Sequence, residues 1–210
     1  MLVAGILGRK VGMTQLFTEE GERVPVTVIE AGPCAVTAVR DPERDGYRAV
    51  QMAFGETKEA RLTKPQRGHL KRAGVGSLRH LAEFRVSNTD DRAYEIGQTL
   101  GVADLFEKGQ KVKVSARSKG KGFQGTIRRH GHARGPVSHG SHNVRAPGSI
   151  GASATPSHVM KGTKLPGQMG NSRVTQLGLT VVDVDADRNL LILRGAIPGP
   201  EGAVVEVRDG

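Results

Sequence analysis

The chain has 210 residues, with 37% hydrophobic and only 3% aromatic side chains and no Trp, which is lean for a single compact core of this length. Its 31 basic residues outnumber 21 acidic ones for a net charge of +10, so a polyanionic partner is favoured over a cationic one. The single cysteine, Cys34, excludes an internal disulfide framework.

At the start, Met1 to Leu7 is apolar, but Arg9 and Lys10 follow the run instead of preceding it, the reverse of a secretory signal. No apolar run approaches the ~18 residues of a membrane helix, so a cytoplasmic location without membrane association is expected. Val3 to Leu7 and Met13 to Phe17 read as two short strands around Gly8-Arg9-Lys10, and Glu19 to Glu22 as a turn. Val24 to Glu30 is the next strand, Gly32-Pro33 a turn, and Cys34 to Val39 another strand. Cys34, among apolar neighbours, reads as a small buried thiol. Asp41 to Gly46 is a polar turn and Tyr47 to Phe54 a strand. Pro65 opens a short helix that Gly74 ends. Leu81 to Val86, Gln98 to Val102 and Lys111 to Arg117 read as strands, with a turn at Asn88 to Asp91 and a helical turn at Asp104 to Glu107. Val174 to Asp185 and Leu190 to Arg194 form a hairpin, and Val204 to Val207 a last strand.

Short strands at about ten-residue spacing predict a mainly β fold, a barrel or sandwich. Because strands resume after residue 171, the intervening stretch is an insertion. The expected organisation is a globular β-barrel from residues 1–117 and 172–210, with a small helical insertion near 63–80, and an extended, mostly irregular arm over 118–171. Going out and back, about fifty residues reach at most ~80 Å.

The charge is concentrated in this region. Between Glu107 and Asp183 there is no acid, yet thirteen basic residues stand there, and five of the seven histidines: His130, His132, His139, His142 and His158. The rest of the chain is slightly acidic. A like-charged, glycine-rich segment with one aromatic, Phe123, is not expected to be compact alone; phosphates supply the missing negative charge. Lys119, Lys121, Arg128, Arg129, Arg134, Arg145, Lys161 and Lys164 are the expected phosphate contacts. The basic residues between Lys58 and Arg79, partly balanced by Glu56 and Glu59, form a second, weaker patch.

Other chemistries fit less well. Gly120 to Gly125 matches G-x-G-x-x-G, but the following basic stretch is short and the ribose-binding position falls near Arg145, where no acid stands. Glycines that let the main chain lie against phosphates account for it better. The clustered histidines lack the Cys or carboxylate that a zinc site normally recruits. They suit stacking on bases or bonding to phosphate and 2′-hydroxyl groups. Ser138, Ser141 and Ser149 lie near histidines without a carboxylate to orient one, so no catalytic residues, cofactor or metal are expected.

Ser118-Lys119-Gly120-Lys121-Gly122-Phe123-Gln124-Gly125, followed by Arg129, resembles the signature of the large-subunit ribosomal protein L three family. Gly8 to Thr14, Arg145 to Gly151 and Pro166 to Asn171 agree with it, and the likeness to the bacterial form runs the whole chain. The resemblance implies a translation-factor-like β-barrel on the subunit surface with an inserted arm. It implies direct binding to 23S rRNA near its 3′ end, a role early in assembly, and neighbouring proteins L fourteen and L nineteen. Among rRNA-binding residues it adds Phe123, His130, His139, His142 and Arg173 to the cations above. It places an arm tip of Gly148, Ser149, Gly151, Ser153, Ala154, Thr155 and Pro156 near the peptidyl transferase centre, where changes can affect pleuromutilin-type antibiotics. Two positions depart from the family. Many members carry a glutamine, methylated in some, where Ala154 stands, and Lys113 replaces a frequent Asp or Asn. A DNA-compacting protein and a nucleotide-binding enzyme are the alternatives.

Overall fold

The computed structural model describes residues 5–86 and 94–210; the predicted turn at Asn88 to Asp91 and the start of the first predicted strand lie outside them. The fold is mainly β, and the chain divides into two compact units, Met1–Arg117 with Arg173–Gly210, and Ser118–Ser172.

In the first unit, six strands close on themselves: β1 (Gly5–Phe17), β2 (Arg23–Ala31), β7 (Lys111–Arg117), β10 (Arg173–Asp185), β11 (Leu190–Arg194) and β12 (Val204–Asp209). The order β1-β12-β7-β10-β11-β2 is a closed barrel, every neighbouring pair being antiparallel. Alternation drives this. Val112 and Val114 on β7, Leu191 and Leu193 on β11, and Val205 and Val207 on β12 are buried, while residues between them are more exposed. Each such side chain contributes ~1.5–3 kcal/mol on burial.

A second sheet, in the order β5-β4-β3-β6, is built from β3 (Cys34–Arg40), β4 (Ala49–Glu56), β5 (Leu78–Arg85) and β6 (Thr99–Leu100). Its Val36, Val50, Met52 and Phe84 share one apolar cluster with Ile6, Ile29, Val114 and Val207 of the ring. Phe84 packs so closely on β1 that a Cβ at Gly5 would lie 1.9 Å from its ring. Cys34 is fully buried, its Sγ donates to the Leu7 carbonyl at 3.3 Å, and burial pushes its thiol up to about 12. Helix α1 (Pro42–Asp45) joins β3 to β4, where only a turn was expected. The Asp41 carboxylate accepts from the Glu43 N–H and supplies the cap. Helix α2 (Lys64–Arg72) follows, with the Gln66 side chain accepting from the Thr63 N–H at 3.0 Å and Leu70 buried beneath it.

On this sheet one carboxylate gathers several donors. Glu83 accepts from the Tyr47 hydroxyl at 2.8 Å, the Arg40 guanidinium at 3.0 Å and the Gln51 amide at 3.3 Å. His69 of α2 lies 2.6 Å from the Gln51 Oε1. Burial raises the Glu83 pKa, but the hydrogen bonds from Tyr47 and Arg40 and the Arg40 charge outweigh it and hold the carboxyl below its ordinary 4.5.

Several predicted boundaries move. β1 is one strand, not two, because Gly8 is a point of close approach and not a break: a Cβ there would sit 2.7 Å from the Glu30 carbonyl oxygen. The irregularity falls later, at a register shift between Lys10 and Gly12. The strand expected over Gln98 to Val102 shrinks to β6, whose ladder partners are Cys34 and Ala35, with Gln98 still accepting from the Val36 N–H at 2.8 Å, and the helical turn after it is a simple turn. No helix among the described residues is long and apolar enough to cross a membrane.

Candidate nucleic-acid interface

The unit Ser118–Ser172 is built on backbone pairing. Among its residues Thr126 alone is buried, so no apolar core holds it. Compactness of this acid-free segment was not expected, and the hydrogen bonds account for it. The Ser118 N–H donates to the Ser172 carbonyl at 2.9 Å and the Asn171 N–H to the Ser118 carbonyl at 3.2 Å. Lys121 donates to the Met169 carbonyl and Met169 to the Gly122 carbonyl, both at 2.9 Å. Strands β8 (Phe123–Gln124) and β9 (Gly167–Gln168) complete this antiparallel stem. Gly170 makes the approach possible. Its φ is +68°, and a Cβ would fall 2.1 Å from the Lys119 carbonyl oxygen.

Helix α3 (Thr126–His130) follows Gly125 and ends where Gly131, at φ +72°, returns its N–H to the Ile127 carbonyl. This five-residue helix cannot complete a dinucleotide-binding strand–helix–strand unit. Two of its basic side chains turn inward. Arg129 Nη1 donates to the Leu165 carbonyl at 2.7 Å, and His130 Nε2 lies 3.0 Å from the same oxygen. Arg128 reaches the Gln124 Oε1 at 3.4 Å and stays exposed. The irregular stretch after α3 folds back once through the Gly135 N–H to the Val144 carbonyl at 3.0 Å.

The expected contact residues therefore separate. Lys119, Lys121, Arg134, Arg145, Lys161 and Lys164 are exposed, and no acid exists between Glu107 and Asp183 to neutralise them locally. Phe123, His139 and His142 are exposed as well. Arg129 and His130 are half-buried and engaged with Leu165. Arg173 belongs to β10 in the first unit and pairs with Glu206, a carboxylate it shares with Arg208, so its charge is only partly offset. The predicted tip residues Gly148 to Pro156 are all exposed, with Ser149 Oγ donating to the Gly151 carbonyl at 3.1 Å and Ser157 Oγ to the Ala154 carbonyl. In the second basic patch Arg67 pairs with Glu59 at 3.4 Å.

Sequence reasoning passed over Leu165 and Gln124. The Leu165 carbonyl is the anchor for α3, a backbone role with no side-chain signature. The Gln124 amide donates to the Lys121 carbonyl and so braces the glycine loop; its place inside the G-x-G-x-x-G run was the available signal.

Residues 72–189 match the family described as Ribosomal protein L3. The Large ribosomal subunit protein uL3 of a Synechococcus species is 54% identical over 203 residues, spanning 97% of this chain and 94% of that protein. The uL3 protein of Carboxydothermus hydrogenoformans is 53% identical over 205 residues, 98% and 96% of the two chains. That of Pelotomaculum thermopropionicum is 53% identical over 204 residues, 97% and 95% of the two chains. The chain belongs to the ribosomal protein L3 family. It is the family to which the glycine-lysine motif pointed. The matched region contains the whole of the Ser118–Ser172 unit and both ring strands, β7 and β10, from which that unit departs and to which it returns.

Proposed function

We propose that this protein is a structural constituent of the large ribosomal subunit that binds 23S rRNA directly through the Ser118–Ser172 unit. One observation carries the reading: eight basic residues stand in that unit without a single acid, and seven of them, Lys119, Lys121, Arg128, Arg134, Arg145, Lys161 and Lys164, are exposed with no carboxylate in the unit to pair with. Phosphate is the partner that balances such a surface. Family membership supports the identity of the nucleic acid, because the relatives are named as large-subunit ribosomal proteins. The ring and second sheet, held by their own core, anchor the protein, and the basic unit fills RNA crevices. The chain itself performs no bond-making step. Binding falls early in subunit assembly, residues 148–156 extend towards the peptidyl transferase centre, and L fourteen and L nineteen are the neighbours.

A salt-dependent titration against large-subunit RNA and duplex DNA tests this, with the intact chain compared to one in which 119–168 is replaced by a short Gly-Ser link. The expected result is preference for the RNA by the intact chain, and weaker binding with a flatter salt slope after replacement. Equal affinity for duplex DNA at matched salt would favour a DNA-compacting role. Unchanged affinity after replacement would move the interface elsewhere on the molecule.

A further inference from the structure

Phe123 stands out in the stem. It is 74% exposed, although β8 holds its backbone in register opposite Gln168. Gly122 precedes it and Gly125 lies two positions on, and a Cβ at either would meet nothing within 4 Å, so the backbone before and after Phe123 is uncrowded. The cation–π pairs among the described residues use Tyr47 and Phe84, not this ring. Lys121 is exposed two positions before it, and Arg128, braced through Gln124, is exposed on the next turn. A rigid backbone carrying a free aromatic face between cations is the arrangement that holds a single-stranded nucleotide: the ring takes the base and the cations take its phosphates.

We propose that Phe123 is a stacking platform for one unpaired base of the bound RNA, an inference that rests on the RNA-binding reading above. The stem then selects a looped or bulged nucleotide, since bases stacked within a duplex offer no free face. A protein partner fits the surroundings less well. Phe123 is the one large apolar side chain exposed between Ser118 and Pro136, whereas apolar protein contacts are patches with charge depleted at their centre.

The test uses the full chain and a single-stranded RNA of about twelve nucleotides, within the span such sites occupy. One version carries a 2-aminopurine; the other carries abasic sites on the same backbone, so their phosphate charge is equal. Wild type should bind the intact strand about tenfold more tightly than the abasic one and quench the 2-aminopurine. Phe123→Ala should lose both effects with the salt slope unchanged, and Phe123→Trp should keep them. The exposed position makes misfolding no explanation, and an unaltered circular dichroism spectrum checks that. Equal binding of both strands by wild type, or equal weakening of both by Phe123→Ala, overturns the stacking role while the RNA reading stands. Failure of wild type to bind either strand in a salt-dependent way overturns both.

Discussion

Lys10 is a cation that the fold consumes. It is only 8% exposed, and its Nζ donates to the carbonyls of Ile197 at 3.0 Å and Gly199 at 3.1 Å. Lys10→Met should cost ~1–3 kcal/mol in urea unfolding, because two buried carbonyls lose a charged donor. RNA affinity measured where both proteins are folded should not change, and a loss of salt slope would reassign Lys10 to the interface. Lys121 and Arg129 give the opposite contrast inside the basic unit. Lys121→Ala should flatten the salt slope by about one unit or less. Arg129→Lys keeps the charge and therefore the slope, yet its ammonium cannot reproduce the planar fork at the Leu165 carbonyl, so limited proteolysis should cut residues 118–172 faster. The sequence shows which side chains are charged. It does not show where the charge is spent, since that depends on partners such as Leu165 and Glu206 that lie far along the chain.

At the scale of elements, the second sheet depends on the carboxylate of Glu83 on β5, which ties β5 to Arg40 on β3 and Gln51 on β4. Its folded pKa lies below the ordinary 4.5, so its contribution is complete above that value and is lost as pH falls through the depressed value. Glu83→Gln should therefore lower the melting temperature at pH 7, and the difference from wild type should close as the pH falls below the ordinary 4.5 and through the depressed folded value. A gap that stays constant down to acid pH would show that shape, and not charge, is what Glu83 supplies. Strands were the readable part of this protein, because β-branched alternation and turn residues are local signals, and the hairpin of β10 and β11 was evident on that basis. Gly8 reads in sequence as lying between two strands because a break and a close approach both call for glycine, and only the partner strand tells them apart. The stem of the basic unit was invisible for a related reason. Its pairs join residues some fifty positions apart and bury almost nothing.

For the molecule as a whole, the insertion point is set by register. Arg117 at the end of β7 faces Arg173 at the start of β10, so their backbones are neighbours in the ladder. A short Gly-Ser turn joining them should leave the ring's core intact, and the excised protein should melt cooperatively within a few degrees of the full chain. A molten product would mean that the Ser118–Ser172 unit contributes to the ring's stability. The ring also joins the two ends of the sequence, since β1 pairs with β12, Ile6 opposite Val207. During synthesis β1 therefore waits for a partner made about two hundred residues later. At about 5–20 residues per second, roughly two to seven seconds separate completion of the basic unit from completion of β12. Throughout that interval a cationic segment has been made while the shell meant to carry it is still open, and whatever polyanion or chaperone first meets it has the opportunity to hold it.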